Sequence, residues 1–266
     1  MRKAIMIVLA LALLAGSASA KLGDLVASFP NVGKDTSHYG LAADGNNLYS
    51  FYELPTWRYP VIVMKRTTGS FVSSYPIPGA TYRVRGLCYD GMGCIYGSIF
   101  SPSYVARFES GSGSLISTWT WPSGTRYAIC VDHKGTSGGT YIYQSYYNGD
   151  FWKSSLGGSL VSSWSMPTST NSVDHAWDYK NKLIWCVNYS TLWISGINPD
   201  THKIVASFQH PRYASISNAY GIAYWPDYLY VSNSRGAPDE YIWVFDCPNT
   251  VGMTPASVGK VKALFK

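Results

Sequence analysis

The stretch Leu25 to Pro30, "LVASFP", decides the fold, because close copies of it return four more times down the chain. They read "FVSSYPIP", "LISTWTWP", "LVSSWSMP" and "IVASFQHP". Their aromatic residues are Phe29, Tyr75, Trp119, Trp164 and Phe208, at spacings of 46, 44, 45 and 44 residues. Each copy alternates its side chains with the period of a strand and follows a Gly or polar turn. A Pro within three residues of the aromatic then ends regular pairing.

Between the copies a second unit recurs, clearest in "YGLAADGNNLYSFYE", "RGLCYDGMGCIYGSI" and "YGIAYWPDYLYVSNS". It reads as strand, Asp-containing turn, strand, with a third apolar run behind it. Five such units start near His38, Val84, Arg126, Asp174 and Tyr220. Five triplets plus five single strands make five four-stranded sheets, and a repeat in the mid-forties with four strands is the signature of β-propeller blades. The predicted class is all-β, a five-bladed β-propeller of four-stranded blades, with six blades as the competing count. A β-sandwich would leave the displaced single strand at the start unexplained. In a propeller that strand is the outer strand of the last blade, so the two ends of the domain share one sheet and close the ring.

Residues 1–20 have a basic start (Arg2, Lys3), an apolar run and a small-residue ending, the pattern of a secretory signal peptide. The organisation expected is therefore 1–20 signal peptide, 21–247 β-propeller and 248–266 C-terminal tail. Localisation is expected to be secreted or periplasmic, with cell-surface association as a variant and no membrane span. The leader takes two of the 21 basic residues, leaving 19 against 15 acidic ones. That mild excess forms no basic block, which argues against nucleic acid as a partner. Charged residues make up 14% of the chain and aromatic ones 15%, a composition of short aromatic strands joined by tight turns.

Gly-Leu/Ile-Ala, an Asp turn, Leu-Tyr and a terminal Val-x-Ser-aromatic-Pro together resemble the repeats of secreted bacterial propellers. They are loosely similar to the five-bladed glutaminyl cyclase (glutamine cyclotransferase) family. Members of that family with activity carry Phe-Thr-Gln-Gly-Leu at the first strand; here the place reads "SHYGL", with Ser37, His38 and Tyr39 ahead of the matching Gly40-Leu41. The resemblance implies the blade plan. The departure counts against cyclase chemistry.

Asp44, Asp90, Asp132, Asp178 and Asp227 fall in strand-to-strand turns, where Asp bonds its own backbone, so a structural role is expected rather than a glycosidase acid/base pair. His38, His133, His175, His202 and His210 are scattered, and only the loose "DHAWD" approaches a metal-ligand spacing, so no metal and no cofactor is expected. Cys88, Cys94, Cys130, Cys186 and Cys247 contain no CxxC; Cys88 and Cys94 flank the turn "YDGMG" and could be bridged across a hairpin in an oxidising compartment. The tail "TPASVGKVKALFK" has a capping Ser257 and apolar residues set among three lysines, which fits either a loose end or a sorting signal.

No nucleophile elbow, phosphate loop or dinucleotide fingerprint occurs. The expected function is that of a non-catalytic propeller binding an extracytoplasmic ligand, such as an anion, glycan or peptide, at one mouth of the channel. An enzyme of the cyclase or glycosidase kind and a structural surface protein are the alternatives. The residues leading into the inner strands should meet at that mouth: His38, Arg83, Arg85, Arg126, Asp174, His175 and Asn218.

Overall fold

The computed structural model describes residues 21–30, 38–52, 60–77, 84–99, 104–120, 127–135, 138–146, 149–166, 172–216, 218–233 and 241–247. These residues form five antiparallel four-stranded sheets and no helix. The first blade runs β2 (His38–Ala43), β3 (Asn47–Tyr52), β4 (Pro60–Lys65) and β5 (Phe71–Pro76). The second is β6 (Val84–Tyr89), β7 (Cys94–Ile99), β8 (Tyr104–Glu109) and β9 (Leu115–Thr120). The third is β10 (Ala128–Val131), β11 (Tyr141–Ser145), β12 (Asp150–Ser155) and β13 (Leu160–Ser165). The fourth is β14 (Ser172–Asp178), β15 (Leu183–Asn188), β16 (Trp193–Asn198) and β17 (Lys203–Gln209). The fifth takes β18 (Ala219–Trp225), β19 (Asp227–Asn233) and β20 (Tyr241–Cys247) from the end of the chain and β1 (Leu25–Pro30) from its start. Its order, β1-β20-β19-β18, is the predicted ring closure, with Phe29 opposite Ile242 and Ser28 opposite Trp243. Residues 1–20 and 248–266, the expected leader and tail, lie outside the described residues.

Each inner strand is packed between two neighbouring blades, so both its faces must be apolar, and β2, β10 and most of β14 are buried throughout. The exception is one irregularity in the register of four of the five. It falls at Gly40 in β2, at residues 85 and 86 in β6, at residues 173 and 174 in β14 and at Tyr220 in β18. A bulge frees residues from the ladder and re-aims them. Here it re-aims them at the channel axis and its mouth.

The outer rim follows a different rule. Outer-strand residues are mostly exposed, and the repeated aromatic is the partial exception, because it covers the turn before the outer strand of the next blade. A Cβ on Gly69 would lie 2.2 Å from Phe29, one on Gly113 2.2 Å from Tyr75, one on Gly158 2.3 Å from Trp119 and one on Gly23 2.6 Å from Phe208. All four glycines have positive φ, between 68° and 88°. The fifth place belongs to His202 (φ 58°), whose ring stacks on Trp164 at 4.4 Å between centroids and 7° between planes. The aromatic-over-turn contact therefore passes from blade to blade around the whole ring.

Candidate functional site

At one structural position of the inner strands the five blades carry Gly40, Gly86, Ala128, Asp174 and Gly221. Small residues are needed there because the strands converge: a Cβ on Gly40 would meet the Leu87 nitrogen at 2.9 Å, and one on Gly86 the Tyr127 carbonyl at 2.6 Å. Crowding and bulging leave the backbone N–H that follows each glycine without a ladder partner. Asp174, the only large residue of the set, supplies the acceptors. Its carboxylate takes N–H bonds from Leu41 at 2.7 Å, Ile222 at 3.0 Å and Leu87 at 3.2 Å, tying the first, fifth and second blades to the fourth. The side chain is fully buried; burial pushes its acidity well down, while the backbone donors pull the other way. Asp174 is thus an axial staple of the ring.

One residue before that position, near the start of the inner strands, stand the buried Tyr39 and Val173 and the half-buried Arg85, Tyr127 and Tyr220. The Arg85 guanidinium carbon lies 4.7 Å from the ring centre of Tyr39 and 5.4 Å from that of Tyr127, its neighbours on either side. Tyr39 packs on Tyr220 at 4.5 Å, and Tyr220 on Tyr189 at 5.1 Å with the two hydroxyls 3.2 Å apart. Desolvation is the largest of the causes that raise the Tyr220 pKa, so its phenol stays protonated. Serines latch this layer between blades: Ser98 donates to the Tyr127 carbonyl at 2.6 Å and Ser232 to the His38 carbonyl at 3.3 Å. The described mouth is a tyrosine-walled ring holding one cation.

The residues expected at the mouth separate into three groups. Arg85 stands in the layer just described, and Asn218 is half-buried directly ahead of β18. His38 and His175 are fully buried between blades instead, because each finds a serine: His38 Nδ1 is 2.9 Å from Ser50 Oγ, and His175 Nε2 is 3.2 Å from Ser145 Oγ with its ring stacked on Phe151 at 4.6 Å. Asp174 is inside its strand rather than ahead of it; β14 begins at Ser172, two residues before the start read from sequence. Arg83 and Arg126 lie outside the described residues. Sequence reasoning missed Tyr39, Tyr127, Tyr189 and Tyr220, although an aromatic just before "GL", "AI" or "GI" was a visible signal at three of them.

Other expectations resolve at the opposite end of the channel. Asp44, Asp90, Asp132 and Asp178 each accept two backbone N–H bonds in their turns, as expected of a structural role. Asp227 differs: it has φ 77° and reaches Lys180 Nζ at 3.5 Å. The five cysteines are all buried free thiols. The bridge open to Cys88 and Cys94 on spacing does not form, because the register sets Cys88 opposite Tyr96 and Cys94 opposite Glu109. Among the described residues no group of acidic, His and Cys side chains is arranged to hold a metal. A small cavity at this end is lined by Leu41, Leu87, Tyr89, His133, Trp177 and Tyr224, among others, with no charged side chain; burial pulls the His133 pKa down to about 4.

No family model and no curated protein matches the chain. Among solved structures it is similar to the glutaminyl cyclase of Myxococcus xanthus, with a TM-score of 0.67 and 12% identity over 85% of this chain and 97% of that one. It also aligns with virginiamycin B lyase from Staphylococcus aureus at a TM-score of 0.47 and 16% identity, over 85% of this chain and 75% of that one. A streptogramin B lyase gives 0.49 and 14%, over 85% and 74%. At such identities the first likeness is one of fold, the five-bladed propeller, and of nothing finer.

Proposed function

We propose that this propeller binds an anionic ligand at the channel mouth, outside the cytoplasm, without transforming it. Arg85 carries the reading. It is the one described residue at its position in the ring that brings a charge, and an irregularity in β6 takes it out of the ladder. An arginine held against two rings has a side chain that is already ordered, which lowers the entropy lost when a ligand arrives. The axial carboxylate, Asp174, is committed to backbone donors in three other blades, so it serves the ring rather than acid/base chemistry. The leader-like first 20 residues support the compartment.

An array of acidic and neutral glycans and peptides, probed with the protein and with Arg85→Gln, tests the reading. Expected are acidic hits that vanish in the variant at an unchanged melting temperature. Hits confined to neutral compounds, hits indifferent to Arg85→Gln, or turnover of any bound compound would overturn it.

A further inference from the structure

We infer that the cavity at the end of the channel opposite the mouth binds a small methylated ammonium ligand. Its floor is made of small and apolar residues, Leu41, Ala42, Ala43, Leu87, Ala176 and Ala223. Aromatic rings follow one another around it through four blades: Tyr89 to His133 at 6.3 Å, His133 to Tyr179 at 5.4 Å and Tyr179 to Tyr224 at 5.8 Å between centroids. Trp177 also lines the cavity, held by its Nε1–H bond to the His133 carbonyl at 2.8 Å. In the first blade Ala43 stands where the second, fourth and fifth have Tyr89, Trp177 and Tyr224, so the aromatic lining is open on that side. The space is about 250 Å³, part of it open to solvent. That is below the roughly 300–1,000 Å³ of pockets for drug-sized ligands, so a small ligand or head group fits.

The charge around this lining is negative. Ala43, Tyr89 and Trp177 are each followed in the chain by an aspartate, and His133 is preceded by one. Asp90 pairs with Arg107 at 3.6 Å and Asp227 with Lys180 at 3.5 Å. Asp44 and Asp178 accept instead from backbone, amide, phenol and indole donors, all neutral, so no ion pair offsets their charges among the described residues. That field reaches the rings: after burial, the charges of Asp44 and Asp90 raise the Tyr89 pKa, and those of Asp227 and Asp178 raise that of Tyr179. His133, at about 4, brings no positive charge at neutral pH. Aromatic faces attract a cation, most strongly where water is excluded. An alkali ion would have to shed water that an apolar floor cannot replace. A neutral group of the same shape gains only the floor, whereas a methylated ammonium gains floor and rings together.

Calorimetric titration of the full chain with tetramethylammonium, methylammonium, tert-butanol and potassium at constant ionic strength provides the test. Tetramethylammonium should bind about tenfold tighter than tert-butanol, with methylammonium between them and no competition from potassium. Trp177→Leu and Tyr89→Leu keep apolar bulk and lose the aromatic face, so each should weaken tetramethylammonium about threefold or more and leave tert-butanol unchanged. Asp44→Asn should weaken it as well and flatten its dependence on salt. Tetramethylammonium binding that is indifferent to both aromatic variants, or that potassium displaces, would overturn the inference. So would tert-butanol binding as tightly as tetramethylammonium, or no ammonium binding at all, in the unmutated protein, where no variant has to fold.

Discussion

The outer rim and the channel axis are built by opposite logics. At the rim one contact, an aromatic over a turn, is repeated in all five blades with a glycine beneath it in four. Along the axis the repeat is broken by single residues: Asp174 where three other blades have glycine, and Arg85 where three others have tyrosine. Repetition marks what every blade needs in order to pack against the next. Departure from the repeat marks what the ring needs once, a staple or a site. The largest break in this comparison is loss of ring closure. Deleting residues 21–30 removes β1 together with Phe29 and exposes the edge of β20. No cooperative melting, or aggregation on expression, is expected, and a variant that melts like the intact protein would show that the rim does not depend on closure.

Next in size is Asp174→Ala. Ala128 shows that the methyl group fits at this position, so the effect isolates the carboxylate. Three buried N–H groups lose their acceptor, each costing about 1–3 kcal/mol, offset in part by the desolvation the carboxylate no longer suffers. A loss of about 3–6 kcal/mol in chemical denaturation is expected from those two opposing effects. Asp174→Asn, which retains one carbonyl acceptor, should fall between. A loss below about 1 kcal/mol for the alanine variant would mean that the staple contributes nothing net.

Gly113→Ala probes the rim on the same scale. Its φ of 73° disfavours a side chain, and the new methyl would sit 2.2 Å from the Tyr75 ring, which must shift. Left-handed strain costs about 1–2 kcal/mol and overpacking, taken in the lower part of its range, about 1–2 kcal/mol, so a total of about 2–4 kcal/mol is expected, less than for the axial carboxylate. If the rim variant proved the costlier of the two, the ranking of axis over rim would be reversed.

Blade number, strand order and ring closure were legible because each rests on a period, and periods survive divergence of the individual residues. Arg85 was legible only as a position: it is where the repeat puts it, but nothing in "VRG" announces that Tyr39 and Tyr127 flank the guanidinium. The start of the fourth unit was misread for a physical reason. Asp174 and His175 look like polar lead-in residues, yet both are buried, the one answered by backbone donors of other blades and the other by Ser145, partners remote in sequence. A polar residue whose partner lies in another blade reads as loop in the sequence and is core in the fold. The same applies to Cys88 and Cys94, whose spacing suggested opposition until the register set them apart.

Acidification acts on axis and rim alike, because the depressed histidines are buried in both. Burial holds His175 at about 3 and His133 at about 4, and burial followed by the Arg212 charge holds His210 at about 4. These values are below the usual 6.5, so the unfolded chain binds more protons than the folded one once the pH drops under that value. Stability is therefore full above about pH 6.5 and lost as pH falls toward 4, at about 1.4 kcal/mol per pH unit for each histidine. Asp174 acts in the opposite sense, since its raised pKa makes it a cost as pH rises. A denaturation series between pH 7 and 4.5 should show the acid loss, and His175→Gln should reduce its slope by about one proton. A slope unchanged in that variant would place the proton uptake elsewhere.

The smallest expected effect concerns the one place where the rim itself departs from its repeat. His202 has φ 58° in a turn that is glycine in the other four blades, so His202→Gly removes a left-handed side chain worth about 1–2 kcal/mol of strain, less for a residue type that visits this region readily. Against that, the stack on Trp164 is lost, at about 0.5–1.5 kcal/mol, and glycine gains freedom in the unfolded chain worth about 0.5–1 kcal/mol. His202 is exposed, which puts the stack at the low end of its range. The opposing effects leave a change within about 1 kcal/mol, on the destabilising side. A gain of more than that on thermal melting would show that the histidine is held there against its own backbone preference, and that this fifth contact, alone on the rim, is shaped by something other than blade packing.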